Sequence, residues 1–162
     1  MSQGLILERI HPIVAFVPID TTGAGRDGDW INLKKARRIA GIIMMGAWAG
    51  GTPAVTWEQA SDNSGTGAKA LSFAEHWHGV ALTTDVMTKV AVASDTFNLA
   101  ATANKIYAME VHATHLDMAN GFSHVRMRVA SPGSNADLIA GLYLVGSMFF
   151  EAAPDRLQTK ID

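Results

Sequence analysis

The sequence contains no cysteine in 162 residues, so disulfides and thiolate metal sites are excluded. It also has little charge: charged residues make up 17% of the chain, against roughly 25% in typical soluble domains. We therefore expect part of the surface to be buried against partners. The formal net charge of −2 provides no positive excess for binding nucleic acid, and no nucleic-acid partner is predicted.

Long hydrophobic runs and targeting signals are lacking as well. The most apolar segment, residues 138–150, is interrupted by Gly141 and Gly146 and is shorter than the ~20 residues that a spanning helix needs. Residues 1–9 do not combine a basic start with an apolar core, as a signal peptide does. We expect no membrane partner, and we expect the protein to be in an aqueous, reducing compartment or in a particle assembled there.

Turn signals recur along the chain and separate short runs that are rich in Val, Ile, Phe, Trp and Tyr. The turn segments are residues 21–28, 50–53, 61–67, 120–121 and 131–135. This rhythm predicts an all-β fold, an antiparallel, jelly-roll-like β-sandwich of about eight strands. One domain is predicted over residues 1–162, with residues 1–12 and 152–162 as candidate extended arms. At most a short helix is expected within residues 74–104.

Three segments carry specific strand predictions. Residues 13–19 are broken by Pro18, which cannot donate to a ladder and so favours an edge. Residues 39–48 are apolar on both faces, which is typical of a central strand. Residues 122–129 alternate and predict a half-buried strand with a basic outer face. That predicted outer face consists of Phe122, His124, Arg126 and Arg128.

The stretch from Gln59 to Leu71 predicts a hairpin-like connection between two strands. Gly65 and Gly67 can adopt positive φ, and the polar residues at 62–64 can bond their own backbone. A phosphate-binding loop is disfavoured, because the Lys-Ser/Thr ending of such a loop is missing.

Catalytic and metal-binding patterns are weak. There is no Gly-x-Ser-x-Gly elbow and no dinucleotide fingerprint, so we expect neither enzyme activity nor a cofactor. His76 and His78 share one strand face, as do Glu110 and His112, but each pair lacks an evident third ligand for zinc. Surface or interface histidines are the favoured interpretation.

The tryptophans are predicted to fill the core, with an interface anchor as the alternative. Trp57 and Trp77 flank the hairpin and are the first candidates for such an anchor. With the turn residues Ser64, Gly65 and Gly67, they form the candidate interface.

Three segments together resemble one family. They are Gly28–Lys34, Ser61–Leu71 and Leu116–Val125. They are similar to segments of small virion structural proteins of tailed bacteriophages, and the resemblance spans about residues 28–150. It implies a capsid decoration or cementing protein on the virion surface, with the major capsid protein and further copies of itself, as a homotrimer or other homo-oligomer, as partners. His112 and His115 stand where that family commonly has acidic residues, so no contact residues are transferred.

Two other functions stay open from the sequence. One is a tail or head–tail connector component of the same kind of particle. The other is a carbohydrate-binding jelly-roll module that uses exposed tryptophans as stacking platforms.

Overall fold

The computed structural model describes residues 6–80 and 85–148 and consists of two six-stranded antiparallel sheets. The predicted all-β sandwich is confirmed. Eight of the strands in the described part have four or more residues, and four are shorter. The strands are β1 (Ile10–Asp20), β2 (Arg26–Asp27), β3 (Ile31–Asn32), β4 (Ala36–Trp48), β5 (Ala54–Ala60), β6 (Lys69–Leu71), β7 (Glu75–Val80), β8 (Thr88–Ala91), β9 (Thr96–Asn98), β10 (Lys105–His112), β11 (His124–Val129) and β12 (Asp137–Met148).

The strands divide between the sheets according to their hydrogen bonding. Sheet A has the order β1-β12-β4-β10-β7-β8. Sheet B has the order β2-β11-β5-β6, with β3 also paired to β11 and β9 to β5. A single helical turn, α1 (Ile6–Arg9), precedes β1, and two short 3-10 turns (Ala113–His115 and Met118–Asn120) connect β10 to β11.

The strand predictions agree with this order. β4 lies in the interior of sheet A between β12 and β10, as its apolar sequence predicts. β1 lies at the edge of sheet A, and Pro18 falls where its register with β12 is irregular, between Phe16 and Ile19. In the described part of residues 74–104 the structure has strands β7, β8 and β9 and no helix.

The predicted N-terminal arm needs correction. Residues 6–9 form α1, and residues 10–12 pair with β12 as the first part of β1. Backbone pairing of residues 10–12 with Leu144–Gly146 makes this segment part of sheet A, although Ile6 and Leu7 of α1 are exposed. Residues 1–5 and the predicted arm at 152–162 lie outside the described residues.

The core lies between the sheets and is centred on two aromatic side chains. Trp57 of sheet B and Tyr143 of sheet A are fully buried, with ring centroids 6.0 Å apart. The Tyr143 hydroxyl oxygen accepts the backbone N–H of Met127 at 2.8 Å, which links β12 to β11 of the other sheet. A Cβ at Gly28 would lie 2.1 Å from that oxygen, so only glycine fits at this position. Burial raises the pKa of Tyr143.

No helix within the described residues has the length and apolar character needed to cross a membrane.

The Tyr143 hydroxyl allows a stability prediction. Tyr143→Phe removes the acceptor and leaves the buried Met127 N–H unpaired, so we expect a loss of about 1–3 kcal/mol in the free energy of unfolding. Urea denaturation would measure it. The matched variant is Tyr107→Phe, which removes an acceptor from the partly buried N–H of Ala100. Water can replace that hydrogen bond more easily, so Tyr107→Phe should lose less free energy of unfolding than Tyr143→Phe. A larger loss in Tyr107→Phe would contradict this interpretation.

Candidate functional site

The three segments that carry the family resemblance meet at one end of sheet B. Strand pairing places Val125 opposite Ile31, and His124 between Asn32 and Ala60. The turn after β5 then folds over this end. We call the resulting unit the turn platform; it comprises residues 61–68, Trp30, Lys69 and residues 117–122.

The 61–68 turn is held by its own polar groups. The Asp62 Oδ1 atom accepts the N–H groups of Ser64 and Thr66 at 2.9 and 3.0 Å. Ser61 N–H donates to the Thr66 carbonyl at 3.1 Å and closes the base of the turn. Hydrogen bonding by Thr66, first by its side chain, lowers the pKa of Asp62. The predicted hairpin is confirmed, because Gln59 pairs with Lys69 and Trp57 with Leu71.

The turn lies against Trp30. A Cβ at Gly65 would lie 2.9 Å from the Trp30 Nε1 atom, and Gly65 has a φ of +81°. Both the contact and the backbone conformation therefore require glycine. The Arg126 guanidinium covers the Trp30 ring at 4.6 Å from its centroid, a cation–π geometry.

The other side of the turn platform is held by Asp117. Its carboxylate accepts Lys69 Nζ at 2.7 Å and Asn120 Nδ2 at 2.9 Å, and its N–H donates to the Gln59 side chain at 2.9 Å. The Lys69 hydrogen bond is the main cause that lowers the pKa of Asp117. Lys69 Nζ also lies 4.2 Å from the centroid of the Phe122 ring. Segments distant in sequence are thereby fixed together.

The outer face of β11 is not basic, contrary to the prediction, because its arginines are paired with carboxylates. Arg126 pairs with Glu58 at 2.7 Å and with Asp27 at 3.1 Å. Arg128 contacts the same two carboxylates, each at 3.3 Å. His124, predicted on that face, is buried. Two arginines and two acids thus form a neutral network, because β5 and β2 bring acids to both sides of β11.

The candidate interface residues separate into two groups. Ser64 and Gly67 are exposed and Gly65 is half-buried, all on the turn platform. Trp77 lies on sheet A and is 39% exposed. Trp57 is 0% exposed, because its side chain points from β5 into the space between the sheets. The proposal of Trp57 as an interface anchor was wrong, and its role is core packing.

The histidines are arranged in pairs. His76 stacks on Phe97 at 4.0 Å between centroids and lies 5.9 Å from His78. Glu110 contacts His112 at 3.3 Å on the outer side of β10. Within residues 6–80 and 85–148 there is no group of three potential ligands placed to hold a metal ion. Burial lowers the pKa of His76 and of His78.

A cleft of about 720 Å³ lies beside the turn platform, and the sequence analysis did not predict it. The start of β1 forms one wall, and the 27–31 segment with Asn63 and Arg126 forms the other. These segments come together only through the packing of the two sheets. No local pattern could have found the cleft.

Comparison with protein-family models and with curated proteins gave no match. Among solved structures, the chain is similar to the SPBc2 prophage-derived protein YomS, with a TM-score of 0.42 and 9% identity over 83% of this chain and 92% of that chain. It is also similar to a chain in T=1 particles derived from infectious bursal virus, with a TM-score of 0.27 and 12% identity over 92% of this chain and 42% of that chain. Both TM-scores are below 0.5, so neither likeness carries an argument about function.

The contact between the turn and Trp30 predicts a difference between two glycine variants. Gly65 and Gly121 have φ values of +81° and +83°, but a Cβ at Gly121 would meet nothing within 4 Å. Gly121→Ala should cost about 1 kcal/mol of stability from backbone conformation alone. Gly65→Ala should cost more, because the methyl group also displaces Trp30.

Thermal and urea unfolding of both variants would measure the difference, and Trp30 fluorescence should shift only in Gly65→Ala. Equal losses in the two variants would contradict the packing of the turn on Trp30.

His76 predicts a loss of stability in mild acid. Burial lowers the pKa of His76 in the folded state below the ordinary histidine value of about 6.5. The contribution of neutral His76 to the free energy of unfolding is therefore complete above about pH 6.5. It is lost as the pH falls towards the folded pKa, since the unfolded chain binds the proton first. His76→Phe should therefore reduce the decrease in the free energy of unfolding between about pH 7 and pH 5.

Urea denaturation at several pH values would measure the slope of the free energy of unfolding against pH. His115→Phe, at an exposed position, is the control and should leave the slope close to that of the wild type. If His76→Phe has the same slope as the wild type, the interpretation of His76 as a buried, neutral histidine is contradicted.

Proposed function

We propose that this chain is a structural component of a tailed-phage virion and, within it, a capsid decoration protein that cements the head. Its partners would be the major capsid protein and further copies of itself. The role is mechanical and requires no catalytic group and no cofactor.

The observation that carries the proposal is the turn platform. The three segments that resemble phage virion proteins are far apart in sequence, yet they form one contiguous unit in space. Asp62, Trp30 and the Lys69–Asp117 pair hold this unit in a single conformation. A rigid turn loses little conformational entropy on binding, which suits a contact that is repeated over a shell.

Repetition also explains how a small contact could suffice. The exposed turn residues Asn63, Ser64 and Thr66 offer polar groups and little apolar area. One such contact would bind weakly, but linked copies on a symmetric shell would bind together with much higher avidity. Clamped neighbouring capsid subunits would then resist the outward pressure of packaged DNA.

Particle composition tests the function. A decoration protein should be present in on the order of hundreds of copies per particle, whereas a connector component would be present in about six or twelve. Particles assembled without the chain should still form, but should release DNA at a lower temperature than complete particles. A low copy number or equal thermal resistance would contradict the cementing role.

The turn platform is tested by a charge at its tip. Ser64→Arg adds a long cation at an exposed position, and we expect it to reduce binding to empty shells by roughly tenfold or more. Ser134→Arg is the matched control, because residue 134 is exposed in the loop after β11, at the opposite end of that strand. Co-sedimentation with shells would measure the binding of both variants. Equal binding by the two variants would contradict the proposal that the turn contacts the capsid.

The carbohydrate alternative now depends on one side chain. Trp77 is the tryptophan with an exposed ring, and Lys89 Nζ lies 5.4 Å from its centroid. Glycan-array binding that Trp77→Ala abolishes would favour that alternative over decoration.

A further inference from the structure

Two histidines lie on the inner side of sheet A at one of its edges. The last two strands of this sheet are β7 and β8, which we call the edge pair. Side chains of a strand alternate in direction, so Glu75 and Trp77 of β7 lie on the outer face and His76 and His78 on the inner face. The inner face of a sandwich usually carries apolar residues. In β7, two groups that can acquire a charge take these positions.

The two imidazole rings belong to an aromatic cluster that joins the sheets. His76 stacks on Phe97 of β9 in sheet B, with ring centroids 4.0 Å apart and planes inclined by 13°. Tyr107 of β10 lies 5.8 Å from His76 and 5.7 Å from His78 between centroids. The edge pair therefore packs against the opposite sheet through rings whose charge depends on pH.

The surroundings of both rings favour the neutral form. The Nδ1 atoms of His76 and His78 are buried, and neither has a hydrogen-bond partner among the described residues. A neutral ring can keep its proton on Nε2 and leave Nδ1 bare, whereas an imidazolium carries a proton on both nitrogens. Protonation thus creates a buried N–H without an acceptor, which is costly. Water can reach this N–H if β7 moves away from sheet B.

The charges on the inner side also oppose protonation. Burial lowers the pKa of both histidines, and repulsion adds to this effect, from His78 on His76 and from Lys105 of β10 on His78. The two rings lie 5.9 Å apart, so a second proton is opposed by the first. From β8, Thr88 lies opposite His78 and Val90 opposite His76, and neither side chain carries a charge.

The other titratable groups near the pair have partners of their own. Burial raises the pKa of Tyr107, which is therefore neutral in acid, and its hydroxyl oxygen accepts the N–H of Ala100 at 2.9 Å. Glu75 is paired with Lys89 on the outer face of the sheet. Its carboxylate therefore lies on the other side of β7 from the two imidazole rings.

The position of the edge pair allows it to open by itself. Only the border between β7 and β10 joins the edge pair to the rest of sheet A in the described part of the chain. The pairing of β10 with β4, of β4 with β12 and of β12 with β1 does not involve it. Opening at an edge of this kind needs less free energy than global unfolding.

We propose that protonation of His76 and His78 in mild acid releases β7 and β8 from the sandwich, while the remaining strands stay folded. The release uncovers Phe97, Tyr107 and the edge of β10. The chain thus contains a pH-dependent conformational switch at one edge of sheet A. This inference goes beyond the proposed function and does not depend on it.

Hydrogen exchange of the purified full chain tests the switch. Backbone amides would be compared by mass spectrometry at about pH 7 and about pH 5, after correction for the intrinsic pH dependence of exchange. Residues 75–79 and 88–91 should lose protection by roughly tenfold or more at the lower pH, and β4 and β12 should keep theirs.

Two double variants separate this pair of histidines from another. His76→Phe/His78→Phe cannot be protonated at these positions and should have the same protection in the edge pair at both pH values. His112→Phe/His115→Phe is the matched control, because these two rings also stack, at 5.5 Å between centroids, but lie outside the edge pair. It should open in acid like the wild type.

A titration of the wild type followed by NMR does not depend on any variant. The ring signals of His76 and His78 should titrate below about pH 6.5, the ordinary histidine value, and the amide signal of Gly79 in β7 should change over the same pH range. If the double variant of the edge pair does not fold, this titration decides between the outcomes. Ring and amide transitions at clearly different pH values would overturn the proposal.

The exchange experiment can overturn the proposal in three ways. Unchanged protection of the edge pair at the lower pH would show that protonation does not release it. An equal loss in β4 and β12 would show global unfolding in place of a local opening. A loss that persists in His76→Phe/His78→Phe would assign the pH dependence to another group.

Discussion

The contact between Trp57 and Tyr143 is the interaction on which the rest of the structure depends. Each ring comes from a different sheet, and together they fix the distance and alignment of the two layers. The Tyr143 hydroxyl then holds β11 through the N–H of Met127. Because β11 pairs with β2, β3 and β5, one side chain of sheet A determines where the centre of sheet B lies. The glycine at position 28 makes room for that hydroxyl and also begins one segment of the family resemblance.

Sheet B in turn positions the turn platform. The pairing of β11 with β3 and β5 brings residues 28–34, 61–71 and 116–125 to one end of the sheet. Each then contributes a different contact: an aromatic ring, a self-bonded turn, and a carboxylate that accepts a lysine. The two outer surfaces of the sandwich thus differ in chemistry. Sheet B carries a compensated network of ions and a polar turn, and sheet A carries aliphatic and aromatic side chains.

Features encoded by neighbouring residues could be predicted from the sequence. The hairpin at 59–71 and the edge position of β1 follow from glycine, proline and alternation, which act within a few residues. Features set by distant partners could not. Trp57 is buried because Tyr143, far along the chain, faces it. Arg126 is neutralised by Glu58, which lies on a neighbouring strand and not on its own. The outward direction of Trp77 was likewise hidden, since it follows from the pairing of β7 with β10.

The prolines of β1 have a consequence for how many copies can join. An edge strand with free backbone donors invites another chain to add a strand, and such addition can repeat without limit. Pro12 and Pro18 remove two of those donors from the outermost strand of sheet A, and β1 is irregular in register between Val14 and Ile19. Growth of sheet A by edge-to-edge stacking at β1 is therefore disfavoured. Association through side-chain surfaces, by contrast, can close after a fixed number of subunits.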